Sequence, residues 1–244
     1  MARSVPWLLI VTGGSRGLGA ALVARARQSG HRVLALSRTA GDHDDDRVLD
    51  LARPETIAPA LVPDLRAAAE HGFERIVLIN NAAVLDPIGA CSDPGAISRH
   101  MTVNLVAPIV ASRLFIETLA QTAADKRIVL ISSGAATRAI PGWSLYGSAK
   151  AGLDQFGRVL AEEQQTCDWP VDVVSISPGV IDTDMQASIR AASRRDFPQV
   201  EHFRELHRSG ALRDPDAVAA AVLTGLARPE RFHGQVVDLA RFVG

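Results

Sequence analysis

The 244-residue chain has little of several residue types that mark specialised classes of protein. Its two cysteines, Cys91 and Cys167, stand far apart, so neither a disulfide framework nor a zinc site is indicated. A net charge of −1 gives no basic surplus, which argues against a dedicated nucleic-acid binder. The seven histidines form no H-E-x-x-H motif, and the acidic run 42–46 is more typical of a solvated loop than of a metal site. No metal is therefore expected.

Long unbroken apolar runs are also absent, since none approaches the roughly 18 residues needed to cross a bilayer. The stretch from Val5 to Val11 follows Arg3 and looks like a short signal peptide, but a glycine-rich motif comes directly after it and no small-residue cleavage site is present. We interpret it as a buried first strand. The expectation is a cytoplasmic protein that binds neither membrane nor nucleic acid.

Tyrosine and lysine are scarce as well. Tyr146 is the single tyrosine, and Lys126 and Lys150 are the only lysines among 26 basic residues. Lys150 follows Tyr146 by four positions, which places both on one face of a helix. An ammonium beside a phenol lowers the pKa of the phenol from about 10, and such a tyrosine can give a proton to a carbonyl oxygen. The alternative is a pair that merely decorates a surface helix.

Short apolar runs alternate with helix-length amphipathic segments along the chain. Most runs are continuous in Val, Ile and Leu, which is typical of strands buried on both faces of a parallel sheet. The alternation predicts an α/β fold: a single Rossmann-type, doubly wound parallel sheet of about seven strands with helices on both faces. The predicted strands are 7–11, 32–37, 47–49, 75–80, 127–132, 171–177 and 235–239, and the predicted helices are 17–28, 54–71, 94–120, 146–165 and 215–227.

No linker, repeat or low-complexity segment divides the chain, so residues 1–244 are predicted to form one domain. The segment 184–213 departs from the alternation, because it is polar, helical in pattern and placed between a strand and the last helix. Insertions of this kind often cover a site, and we expect a substrate lid here.

A glycine-rich loop, T-G-G-S-R-G-L-G over positions 12–19, follows the first predicted strand and opens a helix. Glycines let the backbone approach a pyrophosphate, and the helix N-terminus offers free N–H groups and a positive dipole end. A tight turn without a ligand is the alternative, but the position between strand and helix favours a dinucleotide. The predicted contacts are Gly13, Ser15, Arg16, Gly17, Leu18 and Gly19.

The end of the second strand selects between the two nicotinamide dinucleotides. A chain that binds NAD places Asp or Glu near position 37, whereas this chain has Ser37 and Arg38, with Arg16 in the glycine loop. Guanidinium groups present planar donor forks that suit a 2′-phosphate. The alternative is two arginines that simply face solvent. The predicted cofactor is NADP(H).

Further motifs follow along the chain, namely Asp50, 80–83, Asn104, Ser133, 146–150, Pro178-Gly179 and Thr183. Together with the loop 12–19, and taken in this order, they resemble the short-chain dehydrogenase/reductase family over essentially the whole chain. Ala83 stands where the family usually has glycine. The segments 182–186, 209–212 and 234–238 are similar to those of the branch that holds sepiapterin reductase and the bacterial benzil reductases.

The resemblance implies a catalytic set. Tyr146 would donate the proton, Lys150 would tune Tyr146 and hold the ribose, and Ser133 would polarise the substrate carbonyl. The neighbouring Ser132 is instead expected to bond nearby backbone. The backbone of Asn104 would hold a water in a proton relay.

A local reason supports that last role. Residue 108 is proline, which has no N–H to donate to the carbonyl of Asn104. The alternative is a packing kink without chemistry.

The resemblance also extends the cofactor and substrate sites. Asp50 and Leu51 would face the adenine, Asn81 the ribose, and Thr183 the nicotinamide carboxamide. Asp238 matches the acid that anchors the pterin in sepiapterin reductase, although a polar residue at a strand end is an equally simple explanation. The further cofactor contacts implied are Ala82, Pro178, Gly179 and Val180; Trp143 and Met185 are expected at the substrate, within an apolar wall with Leu85, Ile88, Ile140 and Phe197 that core packing would explain equally well.

The predicted function is an NADPH-dependent carbonyl reductase acting on an α-diketone or another bulky or aromatic ketone. One alternative is a 3-oxoacyl-carrier reductase, which the low net charge disfavours because an acidic carrier needs a basic patch. Another is a non-catalytic NADP-sensing protein on the same fold. Family members pair through the helices that correspond to 94–120 and 146–165, so the resemblance implies a homodimer or homotetramer.

Overall fold

The computed structural model describes residues 6–39, 41–228 and 232–243. Within them, seven parallel strands form one sheet in the order β3-β2-β1-β4-β5-β6-β7, which confirms the predicted doubly wound sheet. The start of the signal-peptide alternative, residues 1–5, lies outside the described residues. The strands are β1 Leu8–Thr12, β2 Arg32–Ser37, β3 Arg47–Val48, β4 Arg75–Asn80, β5 Asp125–Ile131, β6 Val171–Ser177 and β7 Val236–Asp238.

Strand register sends alternate rows of side chains to opposite faces of the sheet. One row runs through Leu34, Ile10, Leu78, Ile128 and Val173, and all five belong to one buried apolar cluster. The adjoining row belongs to a second cluster on the other face. Both faces of the central strands are therefore covered, which explains their continuous Val/Ile/Leu composition.

Helices cover both faces. Leu61 of α2, Phe115 of α4 and Leu153 of α5 join the first cluster, whereas Leu22 of α1 and Val222 of α8 join the second. The helices are α1 Gly17–Gln28, α2 Ile57–His71, α3 Pro94–Met101, α4 Ala107–Thr118, α5 Ser144–Gln164, α6 Asp184–Ala191, α7 Val200–Arg208, α8 Pro215–Ala227 and α9 Leu239–Val243.

The predicted helix 94–120 is interrupted. A π turn over Thr102–Val106 joins α3 to α4, and the N–H of Ala107 reaches back five residues to the carbonyl of Thr102. The wider turn places Asn104 in the interior, where it is fully buried. An interruption of this kind is frequent at functional sites.

By length and mean hydropathy (1.2), the stretch Pro94–Thr118 is apolar enough to cross a membrane. In the fold it packs against neighbouring helices, since Ala111 and Phe115 belong to the cluster that α2 and α5 share. Core helices of folded proteins commonly reach this composition.

The predicted strand 127–132 began after Lys126, and that bound was wrong. Lys126 lies within β5, almost completely buried, and burial lowers the pKa of its ammonium. Its Nζ donates to the carbonyls of Leu119 and Thr122, just after α4, at 3.2 and 2.7 Å. Carbonyls at a helix C-terminus lack intrahelical donors, so they can satisfy a buried ammonium.

Candidate active site

The carboxyl ends of the parallel strands meet at one edge of the sheet, where open α/β folds bind ligands. Ser133 follows β5 at this edge, and it begins a short 3₁₀ turn over Gly134–Ala136. Tyr146 lies in the first turn of α5, with Lys150 one turn further along. The structure thus brings these three predicted residues together.

Tyr146 is buried, and the side chain of Ser133 is close enough to its hydroxyl to influence its pKa. The Ser133 hydroxyl oxygen accepts the backbone N–H of Ala135 at 3.2 Å, which fixes its position. Burial raises the pKa of Tyr146 to about 12, although the side chain of Ser133 opposes the rise. The phenol therefore holds its proton at neutral pH.

Lys150 is also buried, and its Nζ lies 5.8 Å from the centre of the Tyr146 ring. The ammonium donates to the carbonyl of Ile131 at 2.6 Å. Burial lowers the pKa of Lys150 to about 8, and the carboxylate of Asp154 opposes this change. The prediction that the pKa of Tyr146 lies below its free value was wrong, because burial raises it.

Asn104 faces the loop after β4. Its side-chain oxygen accepts the N–H of Val84 at 2.9 Å, and its amide donates to the Val84 carbonyl at 2.8 Å. The side chain is thereby committed to holding that loop, and only the backbone of Asn104 remains for the predicted water. The relay itself stays a prediction.

Ser132 was expected to bond nearby backbone, and that expectation was wrong. Its hydroxyl donates to Oδ2 of Asp154 at 2.8 Å, and both side chains are buried. Sequence reasoning missed Asp154, although a signal exists: it follows Lys150 by four positions, on the same face of α5.

The glycine loop has the geometry of a phosphate cradle. Gly13 and Gly17 have φ angles of +69° and +54°, which favour glycine. A Cβ at Gly19 would lie 2.0 Å from the carbonyl oxygen of Gly13, so the backbone segments touch. Helix α1 begins with neither a side-chain cap nor an acidic residue in its first turn. Its free N–H groups therefore fit the pyrophosphate of a nicotinamide dinucleotide.

Neighbouring segments pack against this loop. The Thr12 hydroxyl oxygen accepts the N–H groups of Asn81 and Ala82 at 3.0 and 3.1 Å. The Asn81 amide donates to the carbonyl of Thr12 at 2.9 Å, so this predicted ribose contact is committed to holding the loop. A Cβ at Gly17 would lie 3.1 Å from Cγ2 of Thr183, whose hydroxyl does not cap α6.

The segment after β6 is held by a residue that sequence reasoning missed. Arg213 donates its N–H to the carbonyl of Val180 at 2.9 Å. A Cβ at Gly179, whose φ is +83°, would lie 2.9 Å from Nε of Arg213. These contacts position Pro178, Gly179 and Val180 beside the edge of the sheet.

The end of β2 carries the residues predicted to select NADP. Arg38 is exposed and makes no hydrogen bond or ion pair with any residue that the structure describes. Arg16 lies 3.7 Å from Asp184, and both side chains are mostly exposed, so water screens this pair. The Ser37 hydroxyl donates to the Thr39 carbonyl at 2.6 Å.

The two residues expected at the adenine come after β3. Leu51 is buried, whereas Asp50 is exposed and accepts the N–H of Ala52 at 3.0 Å. Leu51 packs in the first apolar cluster, whereas the hydrogen bonds of Asp50 among the described residues stay within its own turn.

An aromatic cluster borders Tyr146. The Trp143 ring lies edge-on to Tyr146 at 5.7 Å and stacks on Phe197 at 4.9 Å. Phe203, which sequence reasoning missed, packs against both Trp143 and Phe197. The cluster unites the whole predicted apolar wall, namely Leu85, Ile88, Ile140, Trp143, Met185 and Phe197.

The segment 184–213 supplies much of this cluster, because it contains α6, Phe197 and α7. It therefore lies beside the tyrosine, as a lid would. Asp238, in contrast, is exposed and accepts the N–H of Arg241 at 2.8 Å in α9. This hydrogen bond gives Asp238 a structural role at the end of β7, which is the alternative to binding substrate.

Because Tyr146 is the single tyrosine, its titration can be followed directly. Protein labelled with [ζ-¹³C]tyrosine should show one phenol signal that stays unshifted through pH 10, where a free tyrosine is about half ionised. The physical reason is burial, and circular dichroism at each pH controls for unfolding. A midpoint below pH 10 in folded protein would contradict the raised pKa.

Comparison with known proteins agrees with this geometry. Residues 8–194 match the family described as short chain dehydrogenase. The chain is 39% identical over 242 residues to benzil reductase ((S)-benzoin forming) of Bacillus subtilis (strain 168), with 97% of this chain and 99% of the relative covered. It is 30% identical over 253 residues to sepiapterin reductase of Mus musculus, with 94% and 95% covered.

Among solved structures, the KRED1-Pglu enzyme superposes with a TM-score of 0.77 at 31% identity, covering 94% of this chain and 99% of that one. Fold, motif order and similarity along nearly the full length agree. The chain therefore belongs to the short-chain dehydrogenase/reductase family of oxidoreductases, which bind a nicotinamide cofactor, and within it to the branch of the benzil and sepiapterin reductases.

Proposed function

We propose that the protein reduces ketones with NADPH, and that aromatic α-diketones such as benzil fit its site best. The observation that carries the proposal is a buried, protonated Tyr146 that lies beside Ser133, Lys150 and the aromatic cluster. The relative from Bacillus subtilis is named for reduction of benzil, which supports the choice of substrate class.

The chemistry supplied by the bound cofactor is hydride transfer to the carbonyl carbon. Ser133 orients the substrate oxygen, and the Tyr146 hydroxyl gives it a proton as hydride arrives. A pKa of about 12 keeps that proton in place at neutral pH, which suits the direction of reduction. The Lys150 ammonium lies close enough to stabilise the phenolate that forms.

Trp143 supports a diketone in particular. Its Nε1 is buried and has no hydrogen-bond partner among the described residues, although buried indole N–H groups usually have one. The ring also contacts Tyr146. Because this N–H is shielded from solvent, it would reach a substrate only after the packing around Trp143 opens. It could then bind the second oxygen of a vicinal diketone, while the aromatic rings contact its phenyl groups.

The choice of NADPH over NADH rests on Arg38 and Arg16. Both are exposed near the carboxyl edge, and neither is neutralised by a close, buried carboxylate among the described residues. A 2′-phosphate would give both guanidinium groups a charge-assisted hydrogen-bond partner. Position 37 is serine, so no carboxylate stands there to repel the phosphate.

A small substrate panel separates this function from its alternatives. NADPH oxidation is measured with benzil, 1-phenyl-1,2-propanedione, sepiapterin and a 3-oxoacyl thioester. Preference for the diketones supports the proposal, and preference for the thioester supports the carrier-linked reductase. Tight NADPH binding without turnover of any ketone would support the sensor.

Tyr146→Phe removes the proton donor and keeps the ring. Turnover of benzil should fall by about 10²–10⁴, the usual contribution of general acid catalysis, whereas the Kd for NADPH should stay unchanged. Stopped-flow turnover and nucleotide fluorescence measure the two quantities. Substantial residual turnover would refute the role of the hydroxyl.

Trp143→Phe removes the indole N–H but keeps an aromatic ring. We expect kcat/KM for benzil to fall by about tenfold, the effect of one hydrogen bond, and the value for a monoketone such as acetophenone to change less. The monoketone is the internal control for altered packing. Equal losses for both ketones would mean that Trp143 does not bind the second oxygen.

Arg38→Asp replaces the proposed phosphate ligand with a charge that repels phosphate. NADPH binding should weaken at least about tenfold and NADH binding little, as titrations of nucleotide fluorescence would measure. Arg66→Asp, on an exposed arginine of α2, makes the same charge change elsewhere. Equal losses for NADPH and NADH at position 38 would remove Arg38 from the 2′-phosphate site.

A further inference from the structure

Helix α5 carries an ionisable residue at every fourth position from Tyr146 onward, and the first three of them, Tyr146, Lys150 and Asp154, lie along its buried face. The mechanism above uses the first two. Asp154 is 2% exposed, and a carboxylate this deep is costly unless it is bonded and paired. Its retention in the interior beside the catalytic pair therefore needs an explanation.

Asp154 reaches the strand end that carries the catalytic serine. Its Oδ2 accepts the Ser132 hydroxyl at 2.8 Å, and the N–H of Ser132 donates to the carbonyl of Ile176 at 2.8 Å. Ser132 stands between Ile131, whose carbonyl accepts the Lys150 ammonium, and Ser133, whose side chain lies beside Tyr146. The Asp154 carboxylate therefore holds Ser132 in place, and Ser132 links the residue that binds Lys150 to the residue that lies beside Tyr146.

Asp154 also supplies charge. Burial lowers the pKa of Lys150 to about 8, and Asp154 is the group whose charge opposes it. Burial raises the pKa of Asp154 itself, while the hydroxyls of Ser132 on the segment after β5 and Ser175 on β6 lower it.

The surroundings of the pair contain few other charges. On α5, the guanidinium of Arg158 acts on Asp154 together with Lys150. From α3, His100 faces Tyr146, with ring centres 6.4 Å apart, and its Nδ1 contacts the Asp86 carbonyl at 2.8 Å. The π turn contributes the neutral Asn104.

We propose that Asp154 is a positioning residue of the active site, which keeps Lys150 in its ammonium form and holds the strand end that presents Ser133. The inference rests on the proposed function, because an ammonium beside Tyr146 matters for a phenolate that forms during carbonyl reduction. Without the carboxylate, a buried Lys150 would lose its proton at lower pH.

The two lysines make the test direct, because [ε-¹³C]lysine gives two signals and a Lys126→Arg variant assigns them. In Asp154→Asn the titration midpoint of Lys150 should fall by about one pH unit, while that of Lys126 stays unchanged as an internal reference. Glu162→Gln removes an exposed carboxylate from the same helix and should move neither midpoint. Asp154→Ser, with a smaller neutral side chain, serves if the asparagine variant does not fold.

Turnover gives a second readout. In Asp154→Asn the alkaline fall of kcat for benzil should begin at lower pH by the same shift, and Asp154→Glu should restore it. An unchanged Lys150 midpoint in a folded neutral variant would overturn the proposal, as would a loss of rate equal at every pH. The lysine titration requires no turnover, so a wild-type protein inactive with every ketone would refute the proposed function and leave this test decisive.

Discussion

The hydrogen bond from the Lys150 ammonium to the carbonyl of Ile131 joins the helix that carries the tyrosine to the strand that leads to the serine. An ammonium excluded from water must find acceptors and a counter-charge, or it loses its proton. The end of β5 provides the acceptor, and Asp154 provides the charge. Because Tyr146 is one turn away on the same helix, its position relative to Ser133 follows from satisfying this one buried cation.

A second connection crosses the point where the order of strands reverses. The Thr12 hydroxyl oxygen accepts two N–H groups from the segment after β4, and the Asn81 side chain returns the contact to the glycine loop. These hydrogen bonds hold the glycine loop and the end of β4 together.

Much of this could be predicted from local pattern. The strands 32–37, 75–80 and 171–177 have the predicted bounds, because continuous buried runs end at residues that favour turns. Ser133 and Tyr146 could be placed together because parallel strands end at one edge and a helix repeats its face every four residues.

Other features depend on contacts between residues far apart in the sequence. The raised pKa of Tyr146 follows from burial by Trp143, His100 and the cluster around Phe197, which no local pattern reports. The partner of Ser132 is 22 positions away, and Arg213 packs on Gly179 from beyond α7. Spacing places Asp154 on the same face of α5 as Lys150, but packing decides that Ser132 is its partner, so spacing alone could not reveal these contacts.

The aromatic cluster has a consequence for changing the substrate range of the enzyme. Trp143, Phe197 and Phe203 form the wall beside Tyr146, and they are also the buried apolar anchor of the segment that holds α6 and α7. Truncating any of them would open space beside Tyr146 and remove part of the contact that keeps this segment in place. The room beside Tyr146 and the stability of the segment 184–213 are therefore coupled, and a variant that gains room there needs compensating contacts elsewhere in the segment.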